Sequence, residues 1–187
     1  DGEKIYTAFL DLSKTKDEPQ VGSGRKNDGG TASPGEPVVS AHDFNGKLVW
    51  QKRIGRFSSK HGFCSSPVLY KDKVIVNCDH DGDGYIVALA RTDGRELWRI
   101  ERPNKTRSYV VPIIREIAGK TQMVLSGTIC VTSYNPDDGK LIWSMDGPTE
   151  QFVASLVHSE RTGWFYLTGG FPEHRVMAIK PDGSGKL

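Results

Sequence analysis

The sequence predicts an all-β fold assembled from four-stranded antiparallel units, and three observations carry that expectation. A tryptophan-ended motif recurs: Gly46-Lys47-Leu48-Val49-Trp50, Gly94-Arg95-Glu96-Leu97-Trp98 and Gly139-Lys140-Leu141-Ile142-Trp143 place their tryptophans 48 and 45 residues apart. Composition agrees, since 21 Gly and 10 Pro in 187 residues supply many tight turns and suit no long helix. The apolar runs are short and separated by Asx- and Gly-containing turns, a spacing that belongs to strands.

Each repeat opens with a strand and a turn. Val38-Val39-Ser40-Ala41 precedes His42-Asp43-Phe44-Asn45, and Ile86-Val87-Ala88-Leu89 precedes Ala90-Arg91-Thr92-Asp93. Ile129 to Tyr134 precedes Asn135-Pro136-Asp137-Asp138, and Val176-Met177-Ala178-Ile179 precedes Lys180 to Ser184, after which a fourth copy of the motif starts at Gly185-Lys186-Leu187. Strand, Asx/Gly turn and strand make a β-hairpin. Between hairpins, Ser66–Tyr70 and Val74–Asn77 turn at Lys71-Asp72-Lys73, while Val111–Ile114 and Gln122–Ser126 turn at Ala118-Gly119-Lys120.

Four short antiparallel strands per repeat are the content of a propeller blade. Residues 38–187 therefore read as about three to four blades of a partial β-propeller, with Trp50, Trp98 and Trp143 packing blade on blade, because twisted apolar sheets must stack. Residues 1–37 read as Ile5–Leu10, a strand of a preceding blade, followed by a long polar loop from Ser13 to Pro37.

Charge and hydropathy exclude several classes. The net charge is only +2, with Lys and Arg scattered among Asp and Glu, so nucleic acid is not an expected partner. No run approaches the roughly 18 apolar residues of a membrane helix. Asp1-Gly2-Glu3-Lys4 is not a signal peptide, and the chain reads as a fragment. Cys64, Cys78 and Cys130 have no metal-ligand spacing and read as buried free thiols, with a Cys64–Cys78 pairing on adjacent strands as the alternative.

The hairpins resemble the tryptophan-docking repeat of PQQ-like β-propellers, of pattern Ala-x-Asp-x-x-x-Gly-Lys-x-x-Trp. It stands here as Ala41-His42-Asp43-Phe44-Asn45-Gly46-Lys47-Leu48-Val49-Trp50, as Ala88-Leu89-Ala90 leading to Gly94 and Trp98, and as Ser133-Tyr134-Asn135 leading to Gly139 and Trp143. Pro148 to Ser155 and Arg102 to Tyr109 are also similar to secreted bacterial members. The resemblance implies an extracytoplasmic location and two kinds of relative: dehydrogenases that bind PQQ with calcium, and scaffold propellers that bind no quinone. The dehydrogenases hold PQQ with a vicinal Cys-Cys disulfide, which this sequence lacks, so PQQ is not expected.

The sharpest local constellation is Asp79-His80-Asp81-Gly82-Asp83-Gly84. Alternate carboxylates wrap a hard cation, so Asp79, Asp81 and Asp83 are the candidate calcium ligands, although the twelfth position of such a loop, which wants Glu, is Ala90. The competing reading is a polar hairpin turn with Gly82 and Gly84 at positive φ. The five histidines, His42, His61, His80, His158 and His174, show no zinc spacing, but blade geometry would let His42, Asp43, His61 and His80 converge. No G-x-S-x-G elbow is present, and Gly22-Ser23-Gly24 and Gly29-Gly30 lack the strand-to-helix context of a phosphate cradle. Arg99 to Arg107 reads as a solvated basic loop or an anionic-partner site.

The function expected is a non-enzymatic scaffold for a protein or glycan partner, with no cofactor unless calcium. The alternative is an enzyme with its site at the channel mouth, either a PQQ- and calcium-dependent dehydrogenase or a metal-assisted hydrolase. A partial ring leaves sheet edges open, so two copies are expected to join and close it.

Overall fold

The computed structural model describes residues 2–13, 33–59, 61–102, 108–127, 129–147, 149, 153–183 and 185–186. They hold sixteen strands and no helix. The chain divides into two compact units, residues 1–105 and 106–187.

In the first unit, β1 (Ile5–Asp11), β2 (Ser33–His42) and β3 (Leu48–Arg53) form one antiparallel sheet, and β4 (Phe57–Ser59) pairs with the start of β2. A second sheet runs in chain order through β5 (Val68–Tyr70), β6 (Lys73–Cys78), β7 (Gly84–Ala90) and β8 (Glu96–Arg102). In the second unit, β9 (Ile113–Ile117), β10 (Lys120–Gly127), β11 (Cys130–Tyr134) and β12 (Leu141–Asp146) repeat that order, and β13 (Val157–Ser159), β14 (Trp164–Gly169) and β15 (Arg175–Ile179) make a three-stranded sheet. These are the blades that the repeat predicts.

The repeat acts locally as the hairpin between the last two strands of a blade. Gly46, Gly94 and Gly139 sit at φ +80°, +72° and +75°, the left-handed conformation that a side chain disfavours. Asp43 Oδ1 accepts the amides of Asn45 and Lys47, and Asp93 and Asn135 cap the equivalent turns two residues on. Each tryptophan faces a small residue across the ladder, Ala41, Ala88 or Ser133, and a register shift follows that residue in all three hairpins.

The structure departs from expectation in four places. Ile5–Asp11 pairs with Glu36–His42, so β1 belongs to the first hairpin's own sheet, and residues 33–37, expected as loop, are strand. The ladder supplies hydrogen bonds that the polar, Pro-bearing composition of that stretch conceals. The fourth hairpin does not close: β16 (Gly185–Lys186) pairs in parallel with β12. Val157–Ser159 and Trp164–Gly169, which the repeat does not mark, are strands. Among the cysteines all three are free, but Cys64 is exposed and Cys130 half-buried, leaving Cys78 as the buried thiol.

Cores lie between stacked sheets. Every residue of β6 and β7 is buried, so that sheet is covered on both faces. Val39, Ala41, Trp50, Ile54, Phe57, Val74, Val76, Val87 and Leu89 form the cluster in the first unit. Trp50 donates from Nε1 to the Arg91 carbonyl at 3.0 Å and lies against Gly94, both in the turn of the neighbouring sheet. Burying an indole contributes roughly 4–6 kcal/mol at ~25 cal/mol per Å². In the second unit Trp143 Nε1 donates to Gln122 Oε1 at 2.8 Å, and Gln122 Nε2 reaches the Pro181 carbonyl at 3.2 Å, so a buried amide relays the contact. Trp98 is half-buried.

A Cβ on Gly94 would come within 2.6 Å of Trp50, whereas Gly119, at nearly the same φ, faces open space. In urea denaturation Gly119→Ala is expected to lose about 1 kcal/mol from backbone strain alone. Gly94→Ala is expected to lose about 1–3 kcal/mol more from overpacking. Equal losses would show that the Trp50–Gly94 contact carries no stability.

Candidate functional site

The acidic loop joins β6 to β7, and its first residues turn inward. Asp79 is buried and accepts from Arg102, Nε to Oδ1 at 2.8 Å and Nη2 to Oδ2 at 3.1 Å, with side chains 0 % and 5 % exposed. Arg102 ends β8, across the ladder from Gly84 at the loop's exit. A forked guanidinium–carboxylate pair at this depth fixes direction as well as charge, and removing one member strands the other in a dry interior.

His80 is buried beside it. Its Nδ1 accepts the amides of Gly82 at 2.8 Å and Ser58 at 3.3 Å, which requires a neutral ring with the proton on Nε2. Burial holds the imidazole below its usual pKa, while the Asp79 and Asp81 carboxylates pull the other way. The ring centre lies 5.0 Å from that of Phe57 and 6.4 Å, edge-on, from that of Tyr85. Ser58 also accepts the Asp81 amide on its carbonyl at 3.0 Å. The loop is thus clipped to β4 by Ser58 N–H, Ser58 C=O and the imidazole.

The loop glycines have a different reason from the one expected. Neither Gly82 nor Gly84 has positive φ; a Cβ on Gly82 would stand 2.7 Å from His80 Cε1, and one on Gly84 would meet Asp79 at 3.3 Å. Close approach leaves no room for a side chain at Gly82 and crowds one at Gly84. Next along, Tyr85 lies opposite Cys78 in the ladder, with the Arg99 guanidinium 4.3 Å over its ring. Burial pushes both the Cys78 thiol and the Tyr85 phenol up, so neither is a reactive anion.

Of the candidate ligands, Asp79 is therefore engaged by Arg102, Asp81 is half-buried and Asp83 exposed. Among the described residues no group of three His, Cys, Asp or Glu side chains is gathered to hold a metal. His42 and His80 do not converge either. His80 is clipped to Ser58, which pairs with Pro34 at the start of β2, whereas His42 ends that strand, some 25 Å away at roughly 3.3 Å per residue. Asp43 caps its own turn, His61 and His174 are exposed, and His158 packs on Phe165 at 4.9 Å. Sequence reasoning missed Arg99 and Arg102, since a basic run reads as solvated; residues 103–107 of that run, the motif residues 148 and 150–152, and the glycines at 22–30 lie outside the described residues.

The model of the family described as outer membrane protein assembly factor BamB matches residues 2–163. The chain belongs to this family. No curated protein matches the sequence. Among solved structures, BamB from Moraxella catarrhalis is similar at 14 % identity with a TM-score of 0.57, over 82 % of this chain and 47 % of that one. The quinohemoprotein alcohol dehydrogenase ADHIIG from Pseudomonas putida HK5 is similar at 15 % identity and TM-score 0.56, over 97 % and 35 %. The quinohemoprotein alcohol dehydrogenase from Comamonas testosteroni follows at 16 % and 0.51, over 84 % and 32 %. The chain spans less than half the length of each, and at these identities the likeness is one of fold. The sheets of this BamB-family chain are PQQ-like propeller blades.

Two outcomes test the clip. Replacing Arg102 by Leu is expected to destabilise by about 3–5 kcal/mol in chemical denaturation, with Asp79→Leu added on top restoring most of the loss. If the double variant is no more stable than the single, the pair is not an isolated charge pair. As pH falls, the unfolded chain protonates His80 first, so this part of the stability is complete above about 6.5 and is lost below it. Asn at position 80 offers an acceptor near the place of Nδ1 and does not titrate. The stability difference between wild type and His80→Asn is therefore expected to change between neutral and acid pH, and a pH-independent difference would exclude a buried neutral imidazole.

Proposed function

We propose that this chain is a non-enzymatic propeller scaffold, working outside the cytoplasm, that holds a protein partner through blade edges and loops. The observation that carries the reading is membership of the family described as an outer membrane assembly factor, across residues 2–163. The acidic loop supports it, because Asp79 and His80, the two groups best placed for chemistry, are used to clip sheet to strand. The tryptophans would act as docking residues in every blade, as Trp50 does on Arg91 and Gly94. A glycan partner and closure of a ring by two copies belong to the same proposal.

The rival is an enzyme, since dehydrogenases share the fold to the same degree as BamB. It would place calcium on Asp81 and Asp83, whose loop is otherwise an unusual concentration of carboxylates.

Elemental analysis and an absorption spectrum of the purified chain, with its mass in solution, separate the readings. The expected result is a colourless, metal-free dimer. A quinone absorbance, or stoichiometric calcium that disappears in Asp81→Asn, would overturn the scaffold reading.

A further inference from the structure

The outermost strands of the three complete hairpins occupy the same place in their sheets but differ at the edge they present. Aligned on the tryptophan, β3 continues as Gln51-Lys52-Arg53 and β8 as Arg99-Ile100-Glu101-Arg102. Charges on an outer strand resist the addition of a further strand, because pairing would desolvate them. Strand β12 continues as Ser144-Met145-Asp146, with no cation in Leu141–Asp146 and its one charge at the very end. Leu141, at its other end, is 55 % exposed.

The edge of β12 is also where an extra strand is seated. The short segment β16 pairs there in parallel, Gly185 opposite Trp143 and Lys186 opposite Ser144, the one parallel ladder among the described residues. By the repeat pattern this segment should return alongside β15; it lies on β12 instead. Two ladder positions on a six-residue strand make a weak hold, since each adds only a modest net hydrogen-bond contribution.

We infer that the outer edge of β12 is a strand-docking edge, which takes an extended, uncharged β-strand of a partner protein in place of β16. This rests on the scaffold reading and names the binding surface within it. Main-chain hydrogen bonds would supply the affinity, and Leu141 and Met145 the apolar contacts.

The test uses the whole chain and a labelled peptide of alternating threonine and valine, matched in length to β12, beside a counterpart with proline at every other position, which removes ladder donors. The first peptide is expected to bind and the second not, with hydrogen exchange slowed at β12 amides. Gly185→Pro, which removes a donor from the competing strand, should tighten binding, and Leu141→Lys, a change at an exposed position, should weaken it about tenfold, ~1.4 kcal/mol. No binding, or binding indifferent to both variants, overturns the inference. So does self-association that Leu141→Lys abolishes, which would make a second copy the occupant. A colourless, metal-free chain that ignores the peptide leaves the scaffold standing without this edge; a quinone-bearing chain that takes it leaves the edge without the scaffold.

Discussion

The core of the first unit depends on the contact that the Trp50 indole makes with the turn of the neighbouring sheet. A blade such as β5–β8 is apolar on both faces and has no stable life in water by itself. Trp50 covers one face with its ring and fixes the register with a single donor, aimed at the Arg91 carbonyl. Gly94 is what lets the ring approach, and its left-handed backbone is also what turns the hairpin. One glycine thus meets a local demand and a tertiary one.

The second unit meets the same constraint by another route. Trp143 does not reach the next turn directly; Gln122 stands between, accepting from Trp143 and Ser133 and donating to Pro181. A buried amide can do this because it offers acceptor and donor at once, and with all three partners present it carries little desolvation penalty. The direct and relayed junctions are equivalent in purpose, though no side chain at 122 would be singled out by the motif.

The β6–β7 loop shows how the same residues serve structure or chemistry according to what faces them. Three alternating carboxylates invite a cation in an isolated loop. Here Arg102 arrives from β8 and engages the first of them, while the His80 ring takes two backbone amides and excludes a side chain from Gly82. The buried Asp79 charge is paired by Arg102 and His80 Nδ1 accepts two amides, so the loop acts as a clip between β4 and the sheet.

The blades were legible in the sequence because their signals are local: turn glycines, Asx caps, alternation and a tryptophan at fixed spacing all act within one hairpin. The same local reading missed Val157–Ser159 and Trp164–Gly169, which carry no motif, and misjudged residues 33–37, whose strand exists only because β1 and β4 pair with it. It named Asp79 and His80 but not their partners, since Arg102 is 23 residues from Asp79 and Ser58 is 22 from His80. The sequence by itself determined the repeating strand-and-turn unit and hence the propeller blades. Only the tertiary structure decided which carboxylate is neutralised, which imidazole is buried and which edge accepts β16, because those outcomes depend on groups brought together from distant strands, and no local pattern encodes that meeting.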